Sequence, residues 1–181
     1  MPTPPERCGT CTRCIDVCPT DAFVPAGEWW SIDARRCIAY FTIELRGTIP
    51  EEFRGPMGSH VFGCDICQDV CPWNSRAPVT EAFNPGLTAA AGVMASPARE
   101  GGVHEAPSLE SLAELSEAEF REMFRESPLA RPKHSGFLRN VAVAMGNSGQ
   151  SEFREALERL AGSADEVVAE HARWALGRLA W

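Results

Sequence analysis

The chain has 181 residues, of which 44% are hydrophobic and 23% charged, and its formal net charge is −8. This composition is ordinary for a globular protein of one domain or two small ones, and the acidic balance excludes a general attraction to nucleic acid. No stretch has the apolar length of a membrane span, and no signal peptide precedes the first cysteines. We therefore expect a cytoplasmic protein with no membrane partner.

Cysteine is the most informative residue type, because all eight cysteines fall between Cys8 and Cys71 and seven of them form two short runs. The first run has the spacing C-x-x-C-x-x-C-x-x-x-C-P of bacterial ferredoxins, and the second lacks only the first of the four cysteines. Val61 stands where that cysteine would be, which leaves Cys37 to replace it. Since each [4Fe–4S] cluster needs four thiolates, eight cysteines suffice for two clusters.

The spacing also allocates the ligands, because the fourth cysteine of one run ligates the cluster of the other. The predicted ligands of cluster one are Cys8, Cys11, Cys14 and Cys71. The predicted ligands of cluster two are Cys18, Cys37, Cys64 and Cys67. Structural zinc is the main alternative, although zinc sites usually combine two C-x-x-C pairs and neither run has that form. A disulfide framework would suit a secreted domain instead.

Three regions follow one another along the chain. Residues 1–76 form the predicted cluster module, a ferredoxin-like domain with two [4Fe–4S] clusters. Residues 77–107 are rich in Ala, Pro, Gly and Ser and predict a linker or a packing arm. Residues 108–181 predict short helices joined by tight turns, and such pairs suggest a short HEAT-like region that docks on the module. The expected fold class is α+β, mostly α.

Capping signals set the expected boundaries of the helices. The S-x-x-E pattern predicts a helix start at 116–119 and another at 163–166, each with the serine as N-cap. A helix over 137–145 is expected to stop at Gly146 and Asn147, since glycine and asparagine are common where helices end.

A basic turn follows the first of these helices. The region 131–139 contains four basic residues and no acidic one, namely Arg131, Lys133, His134 and Arg139. Such a turn can bind phosphate groups, but solvation or pairing with nearby glutamates is the commoner role of these charges. Trp29 and Trp30 are expected to pack in the interior rather than to stack on bases.

The sequence around the cysteine runs is more specific than the runs themselves. It reads DARRCIAYFTIELRG over 33–47, FGCDICQDVCPWN over 62–74 and FLRNVAVAMGN over 137–147. These stretches, with the unusual position of Cys37, resemble signature segments of the epoxyqueuosine reductase family. The resemblance covers most of the chain.

This resemblance implies a function. The family reduces epoxyqueuosine to queuosine at the wobble position of certain tRNAs, using cobalamin and two [4Fe–4S] clusters that relay electrons from an external donor such as flavodoxin or ferredoxin. The basic turn then becomes a candidate tRNA-phosphate site, formed by Arg131, Lys133, His134 and Arg139. Candidates for contact with the corrin or the anticodon are Thr42, Glu44 and Arg46.

One part of the family pattern has no counterpart here. Family members carry an N-terminal domain, about as large as this chain, that holds the corrin and supplies an aspartate as proton donor. No residue of this sequence matches that aspartate, so we predict no catalytic residue. We expect a monomeric fragment or half of a split enzyme, inactive unless the missing domain is supplied in trans.

Three alternatives remain open. A stand-alone ferredoxin-type electron carrier would have no use for the helical tail. The iron–sulfur half of another corrinoid enzyme, such as a reductive dehalogenase, would usually be exported and lack that tail. A HEAT-type tRNA-binding module with purely structural clusters would show no reversible reduction.

Overall fold

The computed structural model describes residues 8–74 and 107–179. The predicted linker therefore lies outside the described residues, except for Pro107. The first part contains α1 (Arg13–Asp16), β1 (Phe23–Ala26), β2 (Trp29–Ile32), a 3-10 helix (Ala34–Arg36), a π-helix (Tyr40–Glu44), α2 (Glu51–Arg54) and α3 (Ile66–Asp69). The second part contains α4 (Leu109–Ala113), α5 (Glu117–Met123), a 3-10 turn (Pro128–Ala130), α6 (Lys133–Ser148), a 3-10 turn (Ser151–Phe153), α7 (Arg154–Ala161) and α8 (Glu166–Leu176).

The described residues are mostly helical, and their one sheet is a two-stranded antiparallel hairpin in which β1 pairs with β2. The mostly helical class with a small sheet is thus confirmed. The expectation that the tryptophans lie inside is wrong, because Trp29 is 60% and Trp30 52% exposed. Both belong to β2, an edge strand whose four residues are all exposed. Among the described helices, none is long and apolar enough to span a membrane.

Helix α6 is the centre of the helical part. Every residue from Gly136 to Gly146 is buried, as expected for a helix that is packed on all sides. The predicted stop at Gly146 and Asn147 is wrong, since the helix continues to Ser148 and ends at Gly149 with a φ of 69°. Gly146 instead allows close packing, because a Cβ there would lie 2.7 Å from the Cα of Ala175 in α8.

The two predicted capping boxes have different outcomes. The Ser116 side chain caps α5, and Glu119 bonds back to the Ser116 amide, so this box is confirmed. The box at 163–166 is wrong, because the N-cap of α8 is Asp165, whose carboxylate accepts the amides of Val167 and Val168. The Ser163 hydroxyl accepts the Asp165 amide instead. The HEAT-like repeat character of these helices stays a prediction.

The helical part has an apolar core of its own, built from buried residues of its helices. A second apolar core, which we call the seam, is shared by the helical part and the cluster module. It joins Val143 of α6 to four buried residues of the module, Ile38, Phe41, Ile49 and Met57. Next to it, the Asn147 amide nitrogen donates to the carbonyls of Arg54 and Gly58 at 2.7 and 2.9 Å. The two parts are therefore joined by both apolar and polar contacts.

His171 of α8 forms a further contact across the seam and is fully buried. Its Nε2 accepts the Ile49 amide at 3.1 Å, so its Nδ1 carries the proton and donates to the Val167 carbonyl at 2.6 Å. Burial, with a smaller contribution from the charge of Arg54, lowers the pKa of His171 to about 4. The imidazole is therefore neutral in the folded protein at neutral pH.

This histidine predicts a pH dependence of stability. Between the unfolded pKa of 6.5 and about 4, the unfolded chain binds a proton at His171 and the folded chain does not. The free energy of unfolding should therefore fall by up to about 1.4 kcal/mol per pH unit as the pH drops through this window. Glu170 adds an effect of the same sign only near and below its ordinary pKa of 4.5, because its folded pKa is lowered by hydrogen bonds from Arg54 and Thr48 that outweigh its burial.

Urea unfolding between pH 6.5 and about pH 5 separates the contribution of His171 from that of Glu170. We expect the slope of the unfolding free energy against pH to be smaller in His171→Gln than in the unsubstituted chain. Equal slopes in the two proteins would show that His171 does not cause the dependence.

Candidate iron–sulfur centre

The two cysteine runs fold into nearly identical loops. Cys14 lies in the single turn of α1 and Cys67 at the equivalent position in α3. The residues before these helices, Thr12 and Asp65, have φ of −117° and −112°, and their carbonyls accept the same pattern of amides. This repeat aligns Cys8 with Val61, as the spacing predicts.

Thiols of the first predicted set gather around one cavity of about 200 Å³, which we call cavity one. The cysteines that border it are Cys8, Cys11, Cys14, Cys67 and Cys71. All four predicted ligands of cluster one are therefore together, with Cys67 as an additional neighbour. Their role as ligands stays a prediction.

A second and smaller cavity of about 40 Å³, cavity two, brings together the other predicted set. The cysteines that border it are Cys18, Cys37, Cys64 and Cys67. Phe23 and Ile32, a cross-strand pair of the hairpin, border both cavities, as does Cys67. The two cavities are thus adjacent, which is the arrangement that electron transfer between two clusters needs.

The chemistry of these donors fits iron–sulfur clusters. Burial raises the pKa of Cys14 and of Cys64, and the charges of neighbouring cysteines raise it further. Soft thiolates gathered in this way are stabilised by bound iron, which supplies the opposing positive charge. Among the described residues, no three Cys, His, Asp or Glu side chains are arranged to hold a single metal ion.

Hydrogen bonds reach two of the sulfurs at the cavities. The Ala22 amide donates to Cys18 Sγ at 3.3 Å, and the Gln68 side chain donates to Cys67 Sγ at 3.8 Å. Asn74 holds Gln68 by donating to both its backbone and its side-chain oxygen. Donors of this kind stabilise the reduced state of a cluster and so tune its reduction potential.

The position of Cys37 follows from the packing of Val61. Val61 packs against the core of the helical part rather than bordering cavity two. Cys37 borders that cavity instead, and it follows a 3-10 turn whose N-cap, Asp33, accepts the Arg35 amide. Position 61 thus serves the packing of the helical part rather than the cavity.

The three candidates for corrin or anticodon contact lie in different surroundings. Thr42 is fully buried, so it cannot touch either group, and that prediction is corrected. Its hydroxyl donates to the Ile38 carbonyl and accepts the Gly63 amide. Glu44 and Arg46 are exposed, and Glu44 forms an ion pair with Arg131 of the basic turn.

Arg139 is also fully buried, so its prediction as a tRNA-phosphate contact is wrong. Its guanidinium donates to one carbonyl within the π-helix, to two carbonyls after it, and to the side chain of its neighbour in α6. The acceptors are Phe41, Leu45, Gly47 and the Asn140 side-chain oxygen. Burial lowers the pKa of Arg139 to about 10, with a smaller contribution from Arg46, so the side chain is still charged at neutral pH.

The rest of the basic turn is only partly available at the surface. His134 is half-buried, and its Nε2 bonds to the Leu115 carbonyl at 2.6 Å. Arg131 and Lys133 are exposed, and Lys133 begins α6 with a φ of 65°, in the left-handed region. Arg131 is paired with Glu44, and Lys133 borders a cavity that Glu117 and Asp165 also border.

Comparisons with known proteins agree with this geometry. Residues 7–74 match the family model of a 4Fe-4S double cluster binding domain. Residues 7–74 thus resemble a double-cluster iron–sulfur domain both in their sequence and in the grouping of their thiols.

The relatives are more specific. The chain is 42% identical to the epoxyqueuosine reductase of Xanthomonas campestris pv. campestris, over 95% of this chain and 44% of that protein. It is 40% identical to the epoxyqueuosine reductase of Escherichia coli K12, over 96% of this chain and 41% of that protein. The resemblance found in the sequence is confirmed: the chain is related to the epoxyqueuosine reductases and spans less than half of their length.

Solved structures give the same result. The crystal structure of an epoxyqueuosine reductase with a tRNA-Tyr epoxyqueuosine-modified stem loop superposes with a TM-score of 0.75 at 30% identity, over 98% of this chain and 43% of that chain. The epoxyqueuosine reductase of Streptococcus thermophilus gives 0.72 at 26% identity, over 99% and 44%.

Proposed function

We propose that this chain is the electron-relay and tRNA-docking part of a cobalamin-dependent epoxyqueuosine reductase, which reduces epoxyqueuosine to queuosine in tRNA. The observation that carries the proposal is the grouping of eight thiols around two adjacent cavities, in a chain related to these reductases over nearly its whole length. We further propose that it is a cytoplasmic monomer that receives electrons from an external donor such as flavodoxin or ferredoxin.

The residues of this chain would perform the relay by holding the clusters and tuning them. The predicted thiolate sets bind the irons, and the donors to Cys18 and Cys67 stabilise added negative charge on the clusters. When bound, the clusters would supply single electrons to the corrin. The corrin part of the proposal rests on the family resemblance and requires the family's N-terminal domain.

The exposed cations Arg46, Arg131 and Lys133 form the proposed tRNA-docking surface. Phosphate contacts of this kind position a nucleic acid and make its binding depend on salt. The stem loop present in the related structure supports a tRNA ligand for that protein. In this chain, Glu44 competes with phosphate for Arg131, because the two side chains are already paired.

We predict that Lys133→Ala and Arg131→Ala each weaken binding of an epoxyqueuosine-modified tRNA stem loop by the holoprotein. Each substitution should also reduce the slope of log K against log salt by about 1, since one phosphate contact is lost. Glu44→Gln should strengthen binding, because it frees Arg131. Fluorescence anisotropy at several salt concentrations measures all three effects.

Arg159→Ala is the matched control for these variants. Arg159 is also exposed and ion-paired, with Glu114 and Glu155, but it lies on α7 and does not border the cavity next to Lys133. Its removal should leave both the affinity and the salt slope unchanged. Equal losses in Arg159→Ala and Lys133→Ala would contradict a localised docking surface.

The stand-alone electron carrier is the main competing function. The seam between the cluster module and the helical part weighs against it, because a minimal carrier needs no such partner. A holoprotein with reducible clusters that does not bind the stem loop even at low salt would favour the carrier over our proposal.

A further inference from the structure

Thr42 is a buried hydroxyl that neither the relay nor tRNA docking uses. It lies in the π-helix that follows Cys37 and has no exposed surface. Its hydroxyl donates to the Ile38 carbonyl at 2.8 Å and accepts the Gly63 amide at 2.9 Å. One partner is thus the neighbour of Cys37 in sequence, and the other is the neighbour of Cys64.

These two cysteines approach cavity two from segments that are distant in the chain. Cys37 lies before the π-helix, and Cys64 belongs to the second cysteine run. Because Cys37 and Cys64 do not belong to the same cysteine run, the short spacing within a run does not fix the distance between them. The distance between these two sulfurs therefore depends on how the segments around 38–42 and 61–64 are joined.

The Thr42 hydroxyl joins these segments at one point, and Asn140 of α6 joins them at a second. The Asn140 amide nitrogen donates to the Thr42 carbonyl at 2.8 Å and to the Val61 carbonyl at 2.9 Å. Asn140 is fully buried, and its oxygen accepts from Arg139, which fixes the orientation of the amide.

The left-handed backbone at Gly63 belongs to the same arrangement. Its φ is 72°, a conformation that glycine adopts without strain, and its amide points to Thr42 rather than to another carbonyl. A Cβ at this position would meet only Ile43 Cδ1, at 3.9 Å, so space does not require the glycine. The turn sets the direction of the chain directly before Cys64.

We infer that Thr42 is a positioning residue for cluster two, whose hydroxyl fixes the separation of the ligands Cys37 and Cys64. The inference rests on the proposed function, because it requires that these cysteines ligate a cluster. It assigns Thr42 a role that differs from contact with corrin or anticodon. Cluster one has none of its four predicted ligands next to this bridge, so Thr42 should not affect it.

The test compares two variants of the holoprotein with the unsubstituted chain. Thr42→Val keeps the shape of the side chain and removes the hydroxyl, and Thr42→Ser keeps the hydroxyl and removes the methyl group. Iron release to a chelator is followed with time, and the potentials of the two clusters are measured by EPR-monitored titration. Cys37→Ala, which removes a predicted ligand of cluster two only, identifies which phase of release belongs to that cluster.

Thr42→Val should speed release of the four cluster-two irons about tenfold, the change that about 1.4 kcal/mol of lost stabilisation produces. It should also shift the reduction potential of one cluster. The iron-release phase and the reduction potential of the other cluster should remain unchanged. Thr42→Ser should behave like the unsubstituted chain. Unchanged kinetics and potentials in Thr42→Val, equal changes in both variants, or equal changes in both clusters would overturn the inference.

Two measurements on the unsubstituted chain complete the test. Hydrogen exchange of the Gly63 amide should be slow, and exchange at the rate of an exposed amide would contradict the bridge even where Thr42→Val fails to fold. The iron content of the same protein tests the proposed function separately. About eight irons with an insensitive Thr42→Val would overturn only the inference, whereas absent clusters would overturn the proposed function.

Discussion

Cys37→Ala should lower the iron content of the reconstituted protein from about eight to about four per chain and leave one EPR-active cluster. Cys37 borders cavity two only, so cluster one keeps its four predicted thiolates. Cluster two keeps three thiols and loses the one that comes from outside the cysteine runs. Anaerobic iron and sulfide quantitation, with EPR of the reduced protein, measures the loss.

The double variant Cys37→Ala/Val61→Cys is a sharp control for this prediction. By spacing alone, a cysteine at 61 would restore the full ferredoxin pattern and recover cluster two. In the structure, however, Val61 packs against the helical core and does not border the cavity. We therefore expect no recovery. Eight irons in the double variant would show that spacing, rather than the packing of Val61, decides which cysteine binds.

Arg139→Met should lower the free energy of unfolding by more than about 4 kcal/mol. The substitution removes the donor to the buried Phe41 carbonyl and Asn140 oxygen and to two part-buried carbonyls, and each buried unpaired acceptor costs about 1–3 kcal/mol. Removing the buried charge relieves its own desolvation, but methionine cannot satisfy the acceptors that stay behind. Against a typical total of about 5–15 kcal/mol, this loss removes a large part of the stability.

Two further substitutions separate charge and hydrogen bonding from general mutational effects. Arg139→Lys keeps the charge but not the planar fork that reaches several carbonyls, so its loss should be intermediate. Arg121→Met, at an exposed and ion-paired arginine, should change stability by less than about 0.5 kcal/mol. Urea unfolding of the unsubstituted chain and the three variants gives the order of their unfolding free energies. A loss in Arg139→Met as small as that in Arg121→Met would contradict the structural role of Arg139.

Arg139 also shows where sequence reasoning reaches its limit. The pattern places it in a basic turn, and charge alone favours the surface. Its burial depends on the carbonyls of 41–47, which are distant from Arg139 in the chain and meet it only in the tertiary structure. The prediction for Thr42 is wrong for the same reason, because its partner Gly63 comes from another segment.

The grouping of the thiols around two cavities could be predicted because the spacing of a cysteine run determines which sulfurs lie close together. Even the outlying Cys37 could be assigned by elimination, and it borders cavity two. The helix boundaries were less predictable. Glycine often ends a helix, but Gly146 lies inside α6 and allows α8 to pack closely against it. Only the tertiary structure reveals this contact.

The central claim is that the chain holds two [4Fe–4S] clusters as an electron relay. Anaerobic reconstitution with iron and sulfide, followed by metal quantitation and EPR of the reduced protein, tests it most directly. The account predicts about eight irons per chain and the spectrum of two interacting reduced cubanes. Bound zinc, fewer than about eight irons, or clusters that cannot be reversibly reduced would contradict it.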